Sequence, residues 1–341
     1  MTDNNHKITV LGGGSFGTAI ANMIACNGFP VTQWMRDEAN AKNCMDSGEN
    51  SRYLPGYKLD SRLEVTADLE QALSGSDVVF FSIPSKAFRS VAAVAAAYMD
   101  SRTMAVSTTK GIEPNSFELM SQILEEELPT QRIGVISGPN LAKEIVAKQI
   151  TATVVASDDN ELCETVQQLL GSRYFRVYAN ADRYGVELAG ALKNIYALAA
   201  GLAAALEVGQ NTTSVLITRS LAEMSRFAMQ LGANPMTFLG LSGVGDLFVT
   251  CTSPLSRNYQ VGYAIGKGKT LEQAIEQVGQ VAEGVNTTRL VKEKSDELDI
   301  YMPLANAMYE CMFNGSSIEQ LMGNMMLAEQ SNDVEFSALK A

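Results

Sequence analysis

The chain has 341 residues, 46% of them hydrophobic and 19% charged, enough for two ordinary domains and with no low-complexity or disordered tract. Its formal charge of −12 comes with no Lys/Arg-rich run, so its long-range field disfavours nucleic acid and anionic membranes, and an anionic substrate needs a local basic pocket. The only histidine is His6, in a polar leader, which excludes a histidine triad or a histidine-rich metal site, and the five scattered cysteines show no CxxC spacing. No stretch reaches the ~18 uninterrupted apolar residues of a spanning helix, and no secretory core opens the chain, so a cytoplasmic protein without metal or membrane insertion is expected.

KITVL (7–11) is a short β-prone run, followed by GGGSFG and then by the helical pattern TAIANMIACNG (18–28). Further strands are predicted at PVTQWMR (30–36), DVVFFSIP (77–84), TMAVSTT (103–109), RIGVISG (132–138), TATVVAS (151–157) and YFRVYAN (174–180). Helical stretches such as KAFRSVAAVAAAYM (86–99) and SFELMSQILEEEL (116–128) alternate with them, which predicts an α/β fold with a mostly parallel, doubly wound sheet. After Asn180 the pattern becomes helical: 182–208, 211–232, a helix starting after Ser256, TLEQAIEQVG (270–279), TTRLVKEKSDEL (287–298) and PLANAMYECMF (303–313). We therefore expect a dinucleotide-binding domain over 1–188 and an all-helical substrate domain over 189–341.

Gly12-Gly13-Gly14-Ser15-Phe16-Gly17 is a G-x-G-x-x-G between a strand and a helix. In that place Gly12 suits a tight turn, Gly14 lets backbone approach a pyrophosphate and Gly17 lets helix and strand pack closely. At the end of the second strand Arg36 suits the 2′-phosphate of NADP, while the neighbouring Asp37 keeps NAD open. Lys110 and the loop Ser137-Gly138-Pro139-Asn140 each follow a predicted strand, where ligands bind in open α/β sheets; the bland readings are a solvated lysine and a helix-starting turn capped by Asn140.

In the helical half, LAGALKNIYALAAG (188–201) sets two polar side chains, Lys193 and Asn194, in an apolar helix, and a lysine is seldom buried without a partner or a task. GVGDLFVTCTSPLSRN (243–258) supplies Asp246 and, at a predicted helix start, Ser256, Arg257 and Asn258, a set of donors that suits a phosphate. Val281-Ala282-Glu283-Gly284 is a weaker candidate.

In this order GGGSFGTA, WMRD, TTKGIE, SGPNLAKE, AGALKNIYALAAG, GVGDLFVTCTSPLSRN and VAEG resemble the bacterial NAD(P)-dependent glycerol-3-phosphate dehydrogenases, over roughly Lys7 to Met326. The resemblance implies a Rossmann domain followed by a helical domain of the 6-phosphogluconate dehydrogenase C-terminal type, and NADP(H) or NAD(H) as cofactor. It further implies that Ser15, Phe16, Arg36, Lys110, Ala142, Arg257, Val281 and Glu283 contact the nucleotide. Lys110, Gly138, Asn140, Lys193, Asp246, Ser256, Arg257 and Asn258 would surround glycerol 3-phosphate, with Lys193 moving the proton and Asn194 and Thr250 in its network. The chain departs from the family at Asn140, usually Ser or Thr, at Phe16, where Trp is common, and over the C-terminal GNMMLAEQSNDVEFSALKA.

Reduction of dihydroxyacetone phosphate then needs a hydride from the cofactor and a proton from the protein, and with no usable histidine a lysine is the candidate. An ordinary lysine, at a pKa of about 10.4, becomes a working base when desolvation and a cation such as Lys110 or Arg257 lower it, with Asp246 opposing too large a drop. The family role implied is supply of glycerol 3-phosphate for glycerophospholipids, by a chain that can act as a homodimer. Two rival readings are a β-hydroxyacid dehydrogenase, which leaves Ser256-Arg257-Asn258 unexplained, and a non-catalytic NADP(H) sensor, which has no need of Lys193, Asp246 and Arg257 together.

Overall fold

The computed structural model describes residues 6–114, 116–279 and 282–317, with positions 320, 321, 323 and 327. Eight strands, β1 (Ile8–Leu11), β2 (Val31–Trp34), β3 (Leu63–Thr66), β4 (Val78–Phe81), β5 (Met104–Ser107), β6 (Ile133–Ser137), β7 (Thr151–Ala156) and β8 (Phe175–Asn180), form one sheet. Their order is β3-β2-β1-β4-β5-β6-β7-β8. Every pair is parallel except β6 with β7, so β7 and β8 run against the rest. Seven strands lie where the sequence predicts them. The eighth, β3, is the edge strand LEVT, too short and too polar on its outer side to stand out from the loop around it.

β1, β4, β5 and β6 are buried throughout, as strands covered on both faces must be. Side chains alternate between the faces. Ile8, Val10, Val78, Phe80, Met104 and Val106 pack beneath helices Ser15–Cys26 and Asn160–Leu170. Leu11, Val79, Phe81 and Ala105 face helices Ser85–Ala95 and Met120–Glu127. Strand order reverses between β1 and β4, which puts the loop after β1 at the switch point of the sheet, where such folds bind ligands.

The chain divides into two compact units, Met1–Gly190 and Ala191–Ala341. Past β8 the named elements are all helical: Arg183–Ala205, Gln210–Gln230, Asp246–Thr252, Arg257–Gly266, Leu271–Val278, Glu283–Glu297 and Pro303–Phe313, with short turns at Pro235–Leu239 and Leu241–Gly245. Arg183–Ala205 is, among the described residues, the one helix long and apolar enough to cross a membrane, but 89% of its most apolar window is buried in protein, which makes it a core helix.

Each unit buries one glutamate at the start of a neighbouring helix. Glu187 accepts from the Ser121 N–H at 3.0 Å and from the Ser121 hydroxyl at 2.6 Å, at the head of Met120–Glu127. Glu223 accepts from the Leu304 and Ala305 N–H groups at 2.6 and 3.2 Å, beside Pro303, which has no N–H to satisfy, and from the Tyr196 hydroxyl. Burial outweighs these bonds and pushes both carboxyls from 4.5 up to about 7. The folded chain thus binds these protons more tightly than the unfolded chain, and the stability they contribute is complete below pH 4.5 and lost as pH rises through about 7. Urea titrations between pH 5 and 8 should show stability falling with pH by up to about 1.4 kcal/mol per pH unit for each glutamate. The slope should flatten in Glu187→Gln and Glu223→Gln; an unchanged slope in both would refute the assignment.

Candidate active site

The loop after β1 is built by contact distances that only glycine tolerates. Gly12 has φ +126°, and a Cβ on it would lie 2.2 Å from the Ser82 carbonyl oxygen past β4. A Cβ on Gly17 would lie 2.4 Å from the Gly12 oxygen, so this glycine lets helix Ser15–Cys26 close on the turn. Gly14 differs: nothing stands within 4 Å of its Cβ position, and no side chain caps the helix that it precedes. Open space in front of uncapped N–H groups fits the pyrophosphate of a dinucleotide.

Two amides brace the loop from below. Gln33 Nε2 donates to Gly12 O at 2.8 Å and Asn50 Nδ2 to Gly13 O at 2.9 Å, and both also reach Thr18 Oγ1. Sequence reasoning missed them, although a glutamine inside the buried strand β2 is a signal in itself. Ser15 sits in the first helical turn with its hydroxyl bonded to Tyr53 O at 2.8 Å, and Phe16 packs half-buried on the core.

Beyond β2, Asp37 is committed. It accepts from the Asn40 N–H as the cap of helix Glu38–Ser47 and pairs with Arg52 at 2.6 Å, and these bonds hold its carboxyl below the usual range. Arg36 is exposed and makes no ion pair among the described residues.

Lys110 Nζ donates to Gly138 O at 2.9 Å, which joins the loops after β5 and β6. Gly138, at φ +145°, lies against Thr153, and a Cβ on Gly190 would fall 2.4 Å from Ser137 Oγ. Asn140 does not cap the following helix Ala142–Val146; its Nδ2 donates to Thr153 Oγ1 at 2.7 Å instead. Ser137 Oγ and Asn140 Oδ1 are two of the four sealed polar side-chain atoms without a partner among the described residues. Ala142 opens that helix and packs half-buried on the core.

In the helical unit Lys193 is 6% exposed and Asp246 1%. Lys193 Nζ donates to Asp246 Oδ1 and to Thr250 Oγ1, each at 2.6 Å. Thr250 gives its own proton to Asp246 O, so its oxygen is free to accept from the ammonium. The π-helical turn Leu241–Gly245 delivers Asp246 to the start of helix Asp246–Thr252, four residues before Thr250. Burial pushes the adjacent Cys251 thiol up to about 12, so no thiolate competes for the ammonium. Ser256 caps helix Arg257–Gly266, which places Arg257 and Asn258 in its first turn. The protein around Arg257 lowers its pKa by desolvation, Glu283 opposes the shift, and the guanidinium stays charged at neutral pH. Glu283 begins helix Glu283–Glu297; Val281 lies outside the described residues.

Residues 7–163 match the family described as NAD-dependent glycerol-3-phosphate dehydrogenase N-terminus, and residues 182–323 match its C-terminus. The chain belongs to the glycerol-3-phosphate dehydrogenases. It is 56% identical over 332 residues to the glycerol-3-phosphate dehydrogenase [NAD(P)+] of Saccharophagus degradans, covering 97% of this chain and 93% of that one. It is also 56% identical to the Pseudomonas putida (strain GB-1) enzyme of the same name, covering 99% of each. The crystal structure of glycerol-3-phosphate dehydrogenase from Coxiella burnetii superposes with a TM-score of 0.91 at 34% identity, over 95% of this chain and 99% of that one. The protein is thus an NAD(P)+-dependent oxidoreductase that interconverts dihydroxyacetone phosphate and glycerol 3-phosphate.

In this dehydrogenase the lysine helix is held by backbone contact. A Cβ on Gly201 would lie 1.9 Å from Tyr259 O, and one on Gly262 1.9 Å from Leu198 O, so Arg183–Ala205 and Arg257–Gly266 meet through facing glycines. Gly201 thus serves packing inside the helical unit. Gly262→Ala should cost about 3 kcal/mol in urea unfolding, because the Leu198 atoms that its Cβ would strike are all backbone and cannot move aside. A loss under about 0.5 kcal/mol, the range of ordinary surface changes, would contradict this close approach.

Proposed function

We propose that the chain reduces dihydroxyacetone phosphate to sn-glycerol 3-phosphate, with NADPH favoured over NADH and Lys193 as the proton-transfer residue. The observation that carries this reading is the buried Lys193 ammonium held by Asp246 and Thr250. A bound nicotinamide supplies the hydride for C2. Lys193 gives its proton to the C2 oxygen in reduction and takes it back in oxidation, while Asp246 stabilises the ammonium and fixes its direction. Ser256, Arg257 and Asn258, at a helix start, hold the phosphate, and Lys110, Gly138 and Asn140 complete the substrate contacts.

The nucleotide contacts are assigned to Gly12, Gly14, Ser15, Phe16, Gly17, Arg36, Lys110 and Ala142 in the domain 1–188. Arg257, Val281 and Glu283 in the domain 189–341 add to them. Preference for NADP follows from the engagement of Asp37 as cap and ion-pair partner, which leaves Arg36 to meet a 2′-phosphate. The setting we infer is a cytoplasmic homodimer feeding glycerophospholipid synthesis.

With Lys193→Met, kcat for dihydroxyacetone phosphate should fall about 10³-fold, within the range of general acid catalysis, while the Kd for NADPH stays near the wild-type value. Turnover close to wild type would remove Lys193 from the proton step. Arg36→Ala should weaken NADPH about 30-fold by fluorescence titration, the scale of a lost charge-assisted hydrogen bond. NADH should barely change, and equal losses for both cofactors would take Arg36 out of the 2′-phosphate site.

A further inference from the structure

Beneath the loop after β1, three donors meet three successive carbonyls. Gln33 Nε2 donates to Gly12 O at 2.8 Å, Asn50 Nδ2 to Gly13 O at 2.9 Å, and the Thr18 N–H to Gly14 O at 3.0 Å. They converge on one residue, because Gln33 Nε2 and Asn50 Nδ2 also donate to Thr18 Oγ1, at 3.1 and 2.8 Å. Thr18, Gln33 and Asn50 are fully buried, and Gln33 Oε1 is sealed with no partner among the described residues. An orphaned amide oxygen is costly, and turning the amide round would set that oxygen against Gly12 O, so the Gln33 side chain is committed to the loop.

In a planar trans peptide the N–H points away from the C=O of the same unit. With the Gly12 and Gly13 carbonyls held toward Thr18, the N–H groups of Gly13 and Gly14 lie on the opposite side, and neither has an acceptor among the described residues. The Gly12 N–H, by contrast, is taken by Trp34 O at 2.9 Å. Peptides between glycines turn readily, so the loop's own preferences do not fix this orientation. We propose that Gln33 and Asn50 are positioning residues for the cofactor which, by holding the Gly12 and Gly13 carbonyls inward, aim the Gly13 and Gly14 N–H groups as a pair at the pyrophosphate. This rests on the nucleotide site proposed above. Adjacent backbone donors that face one way suit an anion without any cationic side chain, and donors already aimed cost no reorientation when the charge arrives.

Affinity for two ligands tests this. Adenosine 2′-monophosphate carries the adenosine and the 2′-phosphate of NADPH but no pyrophosphate. In Gln33→Met and in Asn50→Leu the freed peptide can turn, so the Kd for NADPH by fluorescence titration should rise about 30-fold, the scale of one hydrogen bond to a charged group. The Kd for adenosine 2′-monophosphate by calorimetry should change less than about 3-fold, as for sites that do not share a partner. Equal losses for the two ligands would show that the amides only hold the domain together, and an unchanged Kd for NADPH would show that the loop needs no brace; either result overturns the proposal. Should the variants not fold, backbone amide NMR of the wild type decides. The Gly13 and Gly14 N–H resonances should move downfield with NADP+ and stay in place with adenosine 2′-monophosphate; resonances that ignore NADP+, or that move equally with both ligands, refute the proposal. A wild-type chain that binds neither NADPH nor NADH would overturn the underlying cofactor reading instead.

Discussion

The helical unit is organised around one electrostatic demand: an ammonium removed from water must be met by charge and by hydrogen-bond acceptors. Lys193 is met by Asp246 and Thr250, both on the short helix Asp246–Thr252 and spaced by four residues so that they fall on one face. That helix begins in a π-helical turn, and Gly243 within it lies against Phe238, where a Cβ would be 2.1 Å from a carbonyl oxygen. Local irregularity here has a plain use, since it directs a carboxylate at a buried cation.

The same demand explains the glycines. A lysine helix can deliver its side chain to a partner two elements away only if the intervening backbones come close, and Gly201, Gly262 and Gly284 remove the side chains that would keep them apart. In the N-terminal unit Gly12 and Gly17 play the corresponding part, letting the turn after β1 touch the end of β4 and the helix close over it. Gly14 alone among these faces empty space, so packing cannot account for it and the approach of an anion can.

Much of this was legible in the sequence because it depends on local pattern. Seven of eight strands, the alternation with helices and the change to an all-helical half follow from periodicity and turn residues, and Lys193 stands out as a charge within an apolar helix. The braces Gln33 and Asn50 and the capping glutamates Glu187 and Glu223 were not legible. Each looks like an ordinary polar residue until the element that it supports, tens of residues away, is placed beside it. Asn140 shows the converse: its place before a helix suggests a cap, yet Thr153 on the neighbouring strand takes its amide.

By itself, the sequence determined the classes of element, the glycine turn, the charge budget without a usable histidine and the family to which the chain belongs, because these rest on residue type and short-range spacing. Only the tertiary structure decided which partners each polar group has. It assigned Asp37 to a helix cap and to Arg52, Thr250 to Lys193, and the Asn258 amide to Gly284 and Asn194. The physical reason is that a hydrogen bond has direction and a range of about 3 Å. Which atoms come within that range depends on how distant segments of the backbone are packed together.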